Sequence, residues 1–413
     1  MRVLIVNTNE KTGGAAVAAN RLAEALNNHG VKAMMLVMEK QSDTLYVSAT
    51  GSAVANQFHF FWERIVIWVN NLFSRRNLFK VSIANTGTDI TRTREFREAD
   101  IIHLHWINQG FLSLRTIGKI LSSGKPVVWT MHDMWPATAI CHHAYTCTNY
   151  HRACHHCPLL RLPSSHDLSA RVFRRKQKLL ASSAVHFVAV SSWLADRARQ
   201  SAITGNSKLS VIPNAIPLSH FTRINRADAR TMLNISERHV LCFGAARIDD
   251  DIKGFSYLVE ALRLVVSRHQ FSPTDIRLLL FGGIRDENVL KNLPVSHTYL
   301  GYVSDYHRLS QIYSASDAVV SSSLYETFGQ TLIEAEACGC TPIAFDGSGQ
   351  ADIINHRENG YLVDYLSTES LAEGICWAFT TPPSADVLRK NVCRKYTGDV
   401  VAQKYIQLYN ALL

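Results

Sequence analysis

Two trains of short apolar runs, parted by a proline-rich break, limit this chain more than any other feature. The first train is Val3–Val6, Val31–Met38, Ile101–Trp106, Val127–Met131 and His186–Ser191. The second is Val240–Ala245, Arg277–Phe281, Thr298–Val303, Ala318–Ser322 and Pro342–Phe345. Stretches with apolar residues at helical spacing lie between them, among them Ala15–Asn28, Gly254–His269, Tyr306–Ser314 and Thr331–Cys338. A strand covered on both faces reads as an unbroken apolar run. Such strands alternating with helices predict parallel sheets with helices on both sides. At Ile212–Pro217 (IPNAIP) two prolines and an asparagine interrupt the pattern, and then it restarts. The reading is α/β: two Rossmann-like, doubly wound domains over residues 1–213 and 214–390, with 391–413 a C-terminal helix packing back on the first domain. Ligands of such sheets sit beyond the carboxyl ends of the strands, so a central cleft faced by both domains is the expected site.

Charge divides the chain unevenly. Of the formal +9, residues 1–200 hold 24 Lys and Arg against 12 Asp and Glu, while residues 201–413 hold 19 against 22. The basic half either faces an anionic partner or is an ordinary solvated surface. Nucleic acid is not that partner: there is no zinc-finger spacing with a recognition helix, no aromatic RNA-binding motif and no long basic run. The opening MRVLIVNTNE reads as a strand rather than a signal peptide, and apolar runs fall well short of the ~20 residues that span a bilayer. A cytoplasmic protein is expected, with peripheral contact to the inner face of the plasma membrane as an extension of the basic half.

Phosphate chemistry is suggested at three places. Gly13-Gly14, between the first strand and first helix, let backbone N–H groups approach an anion, although a tight turn needs glycine there too. No G-x-G-x-x-G or G-x-x-x-x-G-K-[ST] is present, which argues against a dinucleotide oxidoreductase and a P-loop NTPase. In the second half Phe243-Gly244 ends a strand, and Arg247 and Lys253-Gly254 follow in a loop. These cations either neutralise a diphosphate or pair with Asp249–Asp251. Then Y-E-T-F-G-Q-T leads into a helix, with Glu326 and Glu334 eight residues apart. Paired carboxylates suit sugar and ribose hydroxyls, and the N–H groups at Phe328–Thr331 suit oxygens. A lone carboxylate near a helix start also serves the helix dipole.

Taken together these residues resemble the retaining glycosyltransferases of family 4, which have the GT-B architecture. The resemblance runs from Gly13-Gly14 through Pro213-Asn214 and Arg247…Lys253-Gly254 to the E-x7-E of Glu326 and Glu334. It implies that Arg247 and Lys253 contact the donor phosphates and that Glu326 holds the transferred sugar, helped by Phe328 and Gly329. It places Glu334 on the ribose, Thr331 and the Gly13, Gly14 and Gly244 turns near phosphate, and Val303 beside the base. His132, in W-T-M-H-D, resembles the family's active-site histidine; otherwise it is a strand-end histidine satisfied by backbone. His105, Trp106 and Asn108 are candidate acceptor contacts. The implied partners are a UDP- or GDP-linked sugar and a glycan or polyprenyl-diphosphate-linked acceptor in bacterial surface polysaccharide assembly. No catalytic metal is expected, because Asp249-Asp250-Asp251 reads as loop charge rather than a D-x-D site. The alternatives are an epimerase or phosphorylase of the same fold, or a non-catalytic zinc-stabilised binding protein.

Two further segments stand out. Cys141, Cys147, Cys154 and Cys157 fall within 17 residues, interleaved with five histidines. Four thiolates favour a structural zinc; a redox disulfide or free thiols are the alternatives. A similar insertion occurs in a subgroup of bacterial polysaccharide glycosyltransferases, including those of the colanic-acid type. Phe58–Phe73 is rich in Phe and Trp and is followed by Arg75-Arg76. It suits a headgroup interface, but its all-round apolarity favours a helix buried on the first sheet.

Overall fold

The computed structural model describes residues 1–181, 183–268 and 270–413. His269, expected to close the second domain's first helix, lies outside the described residues; that helix runs Phe255–Ser267.

Contacts divide the chain into one unit of Met1–Ala215 with Val401–Leu413 and another of Ile216–Val400. The first is built on seven parallel strands: β1 Arg2–Val6, β2 Lys32–Val37, β3 Val47–Ala49, β4 Ile101–Leu104, β5 Val127–Met131, β6 His186–Ala189 and β7 Lys208–Val211. They lie in the order β3-β2-β1-β4-β5-β6-β7. Leu4 stands opposite Met34 on one side and Ile102 on the other, so the centre of β1 is apolar throughout. The helix Gly14–Asn28 presents Ala19, Leu22, Ala23 and Leu26 to one face of this sheet.

The second unit has six parallel strands: β8 His239–Arg247, β9 Ile276–Gly283, β10 Ser296–Tyr299, β11 Ala318–Ser321, β12 Thr341–Asp346 and β13 Tyr361–Asp364. Their order is β10-β9-β8-β11-β12-β13. Leu241, Leu278, Leu280 and Ile343 face the helices Phe255–Ser267 and Thr368–Thr380 across one core. In each unit the strand order reverses once, at β1/β4 and at β8/β11, and those reversals open a crevice at the strands' carboxyl ends.

The segment 391–413, expected as one helix, is not one. A helix Ala385–Lys395 ends at Tyr396, whose carbonyl accepts from Ile216 N at 2.8 Å, and a second helix runs Gly398–Asn410. Only from Val401 does the chain belong to the first unit, where Val401, Ala402, Tyr405 and Tyr409 enter the core with Val3, Ile5 and Val128.

Candidate active site

In the first unit the loops after β1 and β4 are laced together. Thr8 N donates to Trp106 O at 2.7 Å, Trp106 N donates to Asn7 Oδ1 at 2.9 Å, and Thr8 Oγ1 donates to Asn108 O at 3.0 Å. Gly13 caps the helix Gly14–Asn28 at φ +93°, a conformation L side chains rarely adopt, and Gly13-Gly14 are exposed. Glycine is therefore required by the backbone here, since a Cβ would meet open space.

Three histidines stack across β4 and β5. His103 and His105 rings lie 4.3 Å apart, His105 and His132 rings 5.1 Å, and His105 Nδ1 stands 2.8 Å from His132 Nε2. His103 is held at both nitrogens, by Thr130 Oγ1 at 2.7 Å and Tyr409 Oη at 2.6 Å. Burial, aided by the neighbouring rings, pulls His103 down to about 3; burial also takes His132 to about 4, and His105 falls well below its ordinary value. The column is therefore neutral at pH 7. Two buried nitrogens here have no hydrogen-bond partner, His105 Nε2 and Asn108 Nδ2. Buried polar atoms are nearly always paired, so these two are exceptions in the first unit.

Asp133, beside His132, carries a role its motif did not assign. It accepts from Trp106 Nε1 at 2.7 Å and Trp135 N at 2.8 Å, and its Oδ2 lies 2.7 Å from His142 Nδ1. It fixes Trp106 and the loop that begins the cysteine-rich stretch. Lys176 was also missed: its ammonium lies over the Trp135 ring at 3.6 Å and donates to Thr138 O at 2.7 Å, and burial lowers its pKa to about 7. Nothing in R-R-K-Q-K marks that lysine as the one turned inward.

All four cysteines of the cluster line one cavity of about 20 Å³, together with Ile140, Ala144 and Tyr150. That is room for one water-sized occupant. The thiols are free, and burial pushes Cys141 and Cys154 up to about 12 and Cys157 to about 11. Among the described residues, no three His, Cys, Asp or Glu side chains stand in ligating geometry.

In the second unit the reversal between β8 and β11 carries charge. Lys253 Nζ donates to Glu326 Oε2 at 2.7 Å. Burial opposes the lysine's charge, but the Glu326 carboxylate outweighs it and holds the pKa above its ordinary value. About a quarter of each side chain remains open to solvent. The two cations thus part company. Arg247 pairs with Asp249 at 3.5 Å and Asp250 at 3.1 Å, whereas Lys253 reaches across to the loop after β11.

Glycines make this approach possible. A Cβ on Gly254, at φ +64°, would stand 2.0 Å from Ser322 O, and one on Gly244 would stand 1.9 Å from the Phe281 ring. Gly329, at φ +105°, starts the helix Gln330–Ala337, with Phe328 buried edge-on to Tyr396 and Thr331 in the first turn. Glu334 is buried in that helix and accepts from Tyr313 Oη at 3.3 Å. Val303 is half-buried beyond the end of β10. Sequence reasoning missed Glu336: Asn359 and Asn391 donate to it at 2.7 and 2.8 Å, and burial raises it to about 7. A hollow of about 560 Å³ beside Asp249–Asp251 is lined by neither Lys253 nor Glu326.

Two parallel sheets of Rossmann order are the architecture of the GT-B glycosyltransferases. The chain belongs to glycosyltransferase family 4, whose model matches residues 12–220, and the model of the group 1 glycosyl transferases matches residues 226–395. An uncharacterised glycosyltransferase of Methanocaldococcus jannaschii is 24% identical over 360 residues, 81% of this chain and 90% of that protein. The phosphatidyl-myo-inositol mannosyltransferase of Mycobacterium tuberculosis is 26% identical over 327 residues, 76% of this chain and 74% of that protein. The crystal structure of Anabaena HepE with UDP and glucose superposes with a TM-score of 0.64 at 16% identity, covering 100% of both chains.

Proposed function

We propose that the chain moves a sugar from a UDP- or GDP-linked donor to a glycan or polyprenyl-diphosphate-linked acceptor, with retention of configuration, in bacterial surface polysaccharide assembly. The observation that carries this reading is the Lys253–Glu326 pair at the β8/β11 reversal, a cation and a hydrogen-bond acceptor side by side. Diphosphate departure needs the first, and a sugar hydroxyl is held by the second. The Anabaena structure was determined with UDP and glucose bound, and the mycobacterial relative acts on a phosphatidylinositol, which supports a nucleotide donor and a lipid-type acceptor.

In this reading Lys253 and Arg247 neutralise the diphosphate, with the N–H groups of Phe328–Thr331 and the Gly13-Gly14 turn supplementing them. Glu326 orients the sugar, Glu334 meets the ribose and Val303 borders the base. His132 serves the reacting sugar, and the unpartnered nitrogens of His105 and Asn108, beside Trp106, receive acceptor hydroxyls. The bond from the anomeric carbon to phosphate breaks as the acceptor oxygen bonds to that carbon. The acceptor's proton passes to the leaving diphosphate. These cations supply the neutralisation a divalent ion provides elsewhere, so the reading requires no catalytic metal.

The test is thermal stability against UDP, GDP, ADP, CMP and their sugar conjugates, followed by transfer with the donor that stabilises. A ligand at about 100 times its dissociation constant adds ~2.7 kcal/mol. A selective shift with one diphosphate nucleotide is expected and names the donor class; no shift with any of them sinks the reading.

A structural zinc on Cys141, Cys147, Cys154 and Cys157 is proposed alongside. Its support is four soft donors lining one cavity of about 20 Å³; binding would have to draw the thiols into ligating geometry. Protein purified without chelators is expected to contain about one zinc per chain and to lose stability of the first unit on chelation. Metal-free protein of equal stability overturns it.

A further inference from the structure

The helix Ala53–Asn70 is inside out. Its buried side holds Asn56, Glu63 and Arg64 with Ile67. Glu63 accepts from Ile83 N at 2.7 Å, Ala84 N at 2.8 Å and Arg64 at 2.7 Å, and Arg64 donates to Val81 O at 3.1 Å. Its outward side is an apolar stripe of Val54, Phe58, Phe61, Trp62, Ile65 and Val69, all exposed, with Phe58 and Phe61 each at 59%. That spacing is one helical face. The stripe continues past the helix end onto Phe73 and Phe79, exposed at 63% and 62%. Monomeric soluble surfaces rarely leave such a stretch bare.

The rim of this face is basic. Arg75, Arg76 and Lys80 follow the helix and are exposed. Arg161 N donates to Asn71 Oδ1 and the Arg171 guanidinium to Asn70 Oδ1, each at 2.6 Å. These bonds bring the loop at 158–163 and the helix Leu168–Ala181 against the same end. Arg174, Arg175 and Lys178 on that helix are also exposed. The only acids within 53–80 and 158–181 are Glu63 and Asp167, both buried and hydrogen-bonded. An aromatic centre with an unopposed cationic border fits one partner chemistry. A second copy would set like-charged rims together, and a nucleic acid would leave the stripe in water.

We propose that this face docks on an anionic phospholipid surface, with the Phe and Trp side chains at the acyl boundary and the Arg and Lys side chains on headgroup phosphates. The helix lies along the surface: among the described residues no helix is long and apolar enough to cross a membrane. Docking through this face does not depend on the identity of donor or acceptor.

The test is co-sedimentation of the full chain with vesicles of phosphatidylglycerol and phosphatidylcholine in equal parts, against vesicles of phosphatidylcholine only. Association with the mixed vesicles, weakening as salt rises, is expected. Partitioning should drop about tenfold or more in Arg75→Glu/Arg76→Glu and in Phe58→Ser/Phe61→Ser/Ile65→Ser. Both variants change solvent-facing side chains and should melt like the parent. Failure to bind either vesicle overturns the proposal, as does binding that both variants retain. A dimer in solution that the serine variant alone dissolves also overturns it, by giving the face to a second copy.

Discussion

The two units share a strand order and differ in what waits at its reversal. In the first, three stacked histidines are buried and neutral, with unpartnered nitrogens at His105 and Asn108. In the second, Lys253 and Glu326 are charged, paired and partly open. One architecture thus supplies two electrostatic environments. Under the proposed function, the neutral pocket would recognise hydroxyls through geometry and the charged one would receive a phosphate through field strength.

The contrast breaks most decisively at Lys253 and Glu326. Lys253→Ala and Glu326→Ala are each expected to lower kcat/KM for transfer ~10²–10³-fold, with little change in melting temperature. Steady-state transfer with the donor identified by thermal shift measures this, and a loss below about threefold would remove the charged half of the comparison. His132→Ala is expected to cost ~10²-fold in kcat while the shift with free nucleotide persists. Loss of nucleotide binding instead would move His132 to the donor's side.

The pH dependence sharpens the contrast. His132 titrates near 4 and His103 near 3 in the folded chain, below the ordinary 6.5. Their stabilisation is full above 6.5 and is lost progressively as pH falls from 6.5 through the folded values of about 4 and 3. Glu336 is raised from 4.5 to about 7, so its contribution is full below 4.5 and is lost as pH rises through 7. The first unit should weaken in acid and the second above neutrality, each on the order of 1–3 kcal/mol. Hydrogen exchange resolved by unit across pH 4–8 reads both, and Glu336→Gln should flatten only the second. Tyr409→Phe leaves His103 Nδ1 unpaired and should cost ~1–3 kcal/mol in urea unfolding. A neutral result would mean that the tyrosine does not hold the column.

The sheets were legible because a strand covered on both faces must be apolar along its length, as β1, β4 and β5 are. Edge strands escape that rule. β7 (KLSV) is partly exposed, β3 has three residues, and neither has a pattern to read. β10 was expected at 298–303 but occupies Ser296–Tyr299, because Gly301 at φ +69° takes the chain out of the extended conformation. The Phe58–Phe73 segment misled for a physical reason. Apolarity all round argues for burial, but the buried face was claimed by Glu63 and Arg64, whose partners at Val81, Ile83 and Ala84 no helical periodicity reveals. At the site, residue types and loops were readable. That Lys253 pairs with Glu326 while Arg247 turns to Asp249 and Asp250 was not, since the choice depends on Gly254 lying against Ser322.

The return of Val401–Leu413 to the first unit has a consequence for synthesis on the ribosome. Tyr405 and Tyr409 complete a core whose first strand is Arg2–Val6, yet they emerge only after the entire second unit has been made. Until then the nascent first unit must wait with part of one face of its sheet uncovered and His103 lacking Tyr409. The order of translation is therefore not the order of completion, and the earliest strand is among the last to be sealed.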